Sequence, residues 1–139
     1  MSETYSLVDK EIDRLVAAED LTVAAAAMFL MVNAAMAMAS ALPPGLRGAL
    51  VTASSRWFAE PSPVGHPLAG LAAECWSYLE AKNGNSITVT DREDIAVRTL
   101  LCVLWDEAPD AEELNSTLDY FVSLVDQFDG IREALGLVE

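Results

Sequence analysis

Apolar positions along this chain recur at three- and four-residue spacing, the signature of helices buried on one side. In residues 5–18, Tyr5, Val8, Ile12, Leu15 and Val16 share a face, while Asp9, Lys10, Asp13 and Arg14 fall on the solvent side, with Lys10 and Asp13 spaced to pair. Residues 44–59 predict a helix with Leu46, Leu50, Trp57 and Phe58 on its apolar face, and with Ala53 and Ser54 keeping its middle small. Residues 68–81 place Leu68, Leu71, Ala72, Cys75, Trp76 and Leu79 together. The clearest face is the last: Leu114, Leu118, Phe121, Val122, Val125 and Phe128 line a helix that opens at Pro109 and ends at Gly130. Residues 131–135 predict one further turn.

One stretch breaks the amphipathic rule. Thr22 to Leu42 reads TVAAAAMFLMVNAAMAMASAL and carries no charge. Such a run is buried by other helices or by lipid. Its alanines let neighbours approach closely, and Met28, Phe29, Leu30, Met31, Val32, Met36 and Met38 fill the gaps between them. The flanking helices are amphipathic and need a covered face, and the run lacks a basic flanking cluster. The expectation is therefore a central helix wrapped by its sisters, not a membrane span. Asn33 is the polar exception inside it. Its expected state is an amide bonded to neighbouring groups, with a ligand contact or a register-setting pair across a homodimer as the functional alternatives.

Punctuation sets the element ends. Asp20 is the expected N-cap of the uncharged helix, and Pro43-Pro44 stop it. EPSPVGHP at 60–67 reads as a loop, Lys82-Asn83-Gly84 as a helix stop, and residues 85–89 as a short link. Thr90 and Glu93 match a capping box for a helix reaching Glu107, apolar all round from Leu100 to Trp105. The prediction is an all-α protein, one domain over residues 1–139, a compact bundle of about six helices around the Ala/Met-rich one.

Charge changes the picture of partners. The formal net charge is −14, with eight acids and one base in residues 109–139 alone. That acidity disfavours direct binding of nucleic acid or of anionic membranes, and it attracts a basic protein surface. It also serves solubility in a chain that is 53% hydrophobic. No basic, apolar leader opens the sequence, and a cytoplasmic protein is expected.

Candidate chemistry is sparse. Cys75 and Cys102 lie in apolar runs and read as buried free thiols, and His66, the single histidine, stands in a proline-rich loop without partners in sequence. Asp91, Glu93 and Asp94 resemble a metal cluster, but they fall where acids favour a helix's first turn. No nucleophile, phosphate-loop or zinc motif is present, so neither catalysis nor any cofactor or metal is expected.

The remaining candidate is a surface. Glu112, Asp119 and Asp126 recur every seven residues, which places them on one outward stripe at ~10.5 Å intervals, and Glu133 keeps the spacing if the helix resumes after Gly130. The function expected is a small acidic inhibitor or immunity-type protein that occludes a basic site on a toxin or a nucleic-acid-binding protein, as in bacteria or phage. The alternatives are a structural or adaptor subunit forming a helical homo-oligomer, such as a homodimer, and a helical ligand-binding regulatory domain with a pocket beside Asn33, Trp57 or Trp76.

Overall fold

The computed structural model describes residues 3–59, 69–83, 92–104, 110–128 and 130–137. Seven α-helices occur among them and no strand. They are α1 (Glu3–Glu19), α2 (Val23–Ala37), α3 (Arg47–Ala59), α4 (Ala69–Asn83), α5 (Arg92–Leu101), α6 (Ala111–Gln127) and α7 (Ile131–Ala134). The chain is all-α, as its periodicity predicts. The loop with His66, the link at 85–89, Thr90 and Asp91 of the capping box, and residues 105–109 lie outside the described residues.

α2 is the axis. It packs against α1, α3, α5, α6 and α7. Ala26, Ala27, Met28, Met31, Val32 and Ala34 are fully buried. Burying a Met or Leu side chain is worth ~1.5–3 kcal/mol, so this one helix carries a large part of the apolar stabilisation. Alanine and methionine also favour the helical backbone intrinsically. Enclosure is incomplete at the ends, where Val23 and Met36 are exposed, against the expectation that Met36 fills a gap. No single helix among the described residues is long and apolar enough to cross a membrane; α1 and α2 pass the test only as a pair bent by 114°.

The joint between α1 and α2 differs from expectation. Thr22, not Asp20, caps α2, its hydroxyl accepting from the Ala25 N–H at 3.1 Å. Asp20 instead takes φ +54, a left-handed conformation that ends α1. Aspartate tolerates that region better than most residues, and the turn swings the chain sharply enough for α2 to fold back on α1.

α2 also ends sooner than Pro43-Pro44 alone would require. Its last helical residue is Ala37, and a 3₁₀ turn over Ala39–Ala41 follows. Met38 donates to both Ala34 and Ala35, the tightened geometry of a closing turn. A second 3₁₀ turn, Pro44–Leu46, leads into α3, whose Leu50 and Ala53 are buried.

α4 buries Cys75 and Leu79 but leaves Trp76 52% exposed, so the expected apolar face does not extend to that ring. α5 ends at Leu101, six residues short of Glu107, and the N–H groups of Cys102, Val103 and Leu104 turn back to Thr99, Leu100 and Leu101. Burial on α5 begins earlier than expected and covers every residue from Asp94 to Leu100.

Asp94 is fully buried, not simply a charge at a helix start. Lys82 of α4 reaches it at 3.0 Å and Glu93 at 2.8 Å, and Tyr78 donates to the same Glu93. These contacts weld α4 to α5. Arg98, one turn further on, is 9% exposed and donates to the Tyr120 hydroxyl of α6 at 3.0 Å. At the other end of α5, the Arg92 guanidinium sits 4.0 Å from the centre of the Phe128 ring.

α6 matches its predicted face fully: Leu114, Leu118, Phe121, Val122, Val125 and Phe128 are all buried, and Leu124 joins them. Its N-terminus carries a complete capping box. Asp110 accepts from the Glu113 N–H at 2.8 Å, and the Glu113 carboxylate accepts from the Asp110 N–H at 3.1 Å. At its end, Phe128 is extended and Gly130 takes φ +84, which a side chain would strain. The chain then turns into α7, which packs on α2 and α6 and buries Ile131.

Candidate functional site: an acidic face on the first and sixth helices

Glu112, Asp119 and Asp126 are all exposed and share one continuous helix. Helical geometry sets them in a near-straight line along α6. The capping box fixes one end of that rod, and the apolar face anchors its length. Glu133 is exposed too, but Gly130 breaks the helix and α7 starts on its own axis. The seven-residue register therefore does not carry through to Glu133.

The members of the stripe differ in what they do. Asp126 accepts a hydrogen bond from the Thr4 hydroxyl of α1, and Thr4 is 1% exposed. The Glu112, Asp119 and Glu133 carboxylates have no hydrogen bond or ion pair among the described residues. Asp119 lies close enough to Tyr5 of α1 to act on it. The Tyr5 hydroxyl is shifted above its usual range, first by partial burial, then by Asp9, then by Asp119. Asp9 is exposed one turn after Tyr5.

Asp9 and Asp119 both act on Tyr5, and Asp126 is bonded to Thr4, so the docking of α1 on α6 brings Asp9 near the α6 row, with Glu112 further along the rod. Sequence reasoning placed Asp9 on the solvent side but had no means of joining it to α6. The signal needed was the docking of α1 on α6, which the spacing within either helix does not contain. Near this face, Arg132 of α7 pairs with Glu3 of α1 at 3.2 Å, which ties the start of α1 to the end of the chain.

No group of three or more His, Cys, Asp or Glu side chains is arranged to hold a metal ion among the described residues. Cys75 and Cys102 are buried and not joined in a disulfide. Burial pushes the Cys75 thiol up to about 11, with Glu74 adding to it, and the Cys102 thiol up to about 12. Neither is a ready nucleophile. Tyr78 is also raised to about 12, mainly by desolvation and then by Glu93.

Asn33 is not the internally bonded amide that its position predicts. It is half-buried, makes no hydrogen bond among the described residues, and lines a recess of about 270 Å³ between α1, α2 and α7. The Trp57 side chain lies outside the described residues. The Lys10–Asp13 pair does not form, and Arg14 pairs with Glu11 instead, its Nη2 lying 3.2 Å from Oε2. The chain matches no protein-family model, no curated protein sequence and no solved structure, so any role for this face rests on its own geometry and charge.

Proposed function

We propose that the chain is a non-catalytic binding protein of the inhibitor or immunity type, and that its α1–α6 face occludes a basic site on a partner protein. The observation that carries this reading is the row of exposed carboxylates on a stiff, capped helix. Glu112 and Asp119 in that row pair with no cation among the described residues. Fixed charge on a rigid rod keeps its geometry as a partner approaches, so little ordering is lost on binding. Arginines and lysines lining a nucleic-acid groove or a toxin's cleft fit such a row, because Arg in particular engages carboxylates through two parallel hydrogen bonds. The excess of negative charge steers such a partner from a distance. Cysteines left out of a disulfide suit a reducing compartment such as the cytoplasm.

The test is capture from the native host by the immobilised chain at low and high salt, beside the double variant Glu112→Lys, Asp119→Lys. The expected result is a basic protein retained at low salt and released by salt, with retention at least ~10-fold lower for the double variant. A partner that is not basic, or one indifferent to both changes, would overturn the reading. A second reading, self-association through apolar surface, draws on Trp76 at 52% and Val51 at 64% exposure. Sedimentation over a concentration series separates it, since it alone requires an oligomer.

A further inference from the structure

Two recesses open along α1. One, of about 420 Å³, lies between Leu7, Lys10, Glu11 and Arg14 and the chain at Leu135–Leu137. The other, of about 270 Å³, lies between α1, α2 and α7 and includes Asn33. They share Glu11, Arg14 and Leu135, so they adjoin along α1 and are treated together as one cleft. Its size is in the range of small-molecule sites.

The lining is divided by chemistry. Leu15 and Leu30 are buried at its floor, and Phe29 is half-buried beside them. The polar groups are Lys10, Glu11, Arg14 and Asn33. Lys10 and Arg14 are four apart on α1 and project to the same side. Glu11 is already engaged with Arg14. Among the described residues Lys10 makes no ion pair and the Asn33 amide has no hydrogen-bond partner. A chain of net charge −14 thus presents here a wall of two cations against one acid.

We infer that this cleft is a binding site for a small amphipathic monocarboxylate, its head held by Lys10 and Arg14 and its hydrocarbon body resting on Leu15, Phe29 and Leu30. The apolar floor selects against a fully polar anion, which would gain nothing there and would lose hydration. A cationic amphiphile would meet Lys10 and Arg14 directly. A dianion would carry a second charge that no further cation among the described lining residues matches. The general acidity of the chain does not prevent the capture, because exposed charges beyond ~8 Å are largely screened at physiological ionic strength. This inference is independent of the acidic-face reading, since it uses a different set of residues.

The test is titration of the full chain with decanoate, followed residue by residue through backbone amide NMR, with decanol and decylammonium as controls. Saturable shifts are expected at residues 7–15, 29–37 and 134–137, with a dissociation constant on the order of 0.1–1 mM. Both controls are expected to bind at least ~10-fold more weakly, since the cations discriminate between the heads. The double variant Lys10→Gln, Arg14→Gln should weaken decanoate about 10-fold, and Glu11→Gln should tighten it about threefold by freeing Arg14. A gain of binding cannot come from damage to the fold. The inference is overturned by shifts spread over the whole chain, by equal binding of decylammonium, or by affinities that these variants leave unchanged.

Discussion

The Thr4 hydroxyl donates to the Asp126 carboxylate across 122 residues of sequence, with Thr4 buried and Asp126 at the surface. This one hydrogen bond fixes the first turn of α1 to the last turn of α6. It gives Asp126 a structural duty that the other stripe carboxylates lack. Removing the acceptor strands a buried hydroxyl, whereas removing the donor leaves a carboxylate that water can solvate. Asp126→Ala should therefore cost about 1–3 kcal/mol in urea unfolding, and Thr4→Val distinctly less. Asp119→Asn should stay within ~0.5 kcal/mol, as surface changes usually do. Equal losses for all three would show that the asymmetry is absent.

The Lys82–Asp94 pair makes a second prediction. Asp94 has no exposure, so the cation at 3.0 Å matters more than it would at the surface. Lys82→Met keeps the aliphatic stem of the side chain and removes the charge. It should destabilise by about 1–3 kcal/mol, read as a lower urea midpoint at unchanged slope.

Arg98 should behave in the opposite sense. Its guanidinium is 9% exposed, and its hydrogen bond is to the neutral Tyr120 hydroxyl. The Nε is buried without a hydrogen-bond partner. Desolvating this charge is costly, and no carboxylate among the described residues lies within ion-pair distance to offset it. Arg98→Met should leave stability unchanged or raise it, where a well-paired buried arginine would lose ~3 kcal/mol or more.

The two thiols give a pH prediction. Cys75 at about 11 and Cys102 at about 12 are both raised above the ordinary thiol value of 9.0. A disulfide reagent at pH 8 should thus react with the native chain orders of magnitude more slowly than with the urea-unfolded chain. The folded state binds its thiol protons more tightly than the unfolded state does. That stabilisation is complete below the unfolded value and is lost as pH rises from 9 through the folded values, with Tyr78, at about 12, acting in the same direction. The urea midpoint should fall across this alkaline window. A flat midpoint would contradict the burial of these groups.

What the sequence discloses follows from how local each signal is. The α6 face from Leu114 to Phe128 is legible because a single helix presents it whole. The burial of α2 is legible because an uncharged run has few places to go. The end of α2 at Ala37 is not, since alanine and methionine continue to Ala41 without a local breaker, and tertiary packing decides. Asp20 and Thr22 are both competent caps, and the choice falls to the turn that brings α2 back on α1. Asp94 reads as a first-turn charge and Arg98 carries no local sign of burial, yet α4 and α6 close over them. The stripe of Glu112, Asp119 and Asp126 follows from spacing alone. Asp9 joins it only through the docking of α1, and the cleft beside Asn33 exists only because α7 returns to α2.

The fold depends on α2 being kept from water by the surrounding helices of its own chain. Native-state hydrogen exchange of the α2 amides in detergent-free buffer measures this directly. The amides of Ala27 to Ala35 should open only with global unfolding, giving the slowest exchange in the chain and free energies equal to that of denaturant unfolding. Exchange there as fast as at the ends of α1, or protection that appears only when lipid is added, would contradict it.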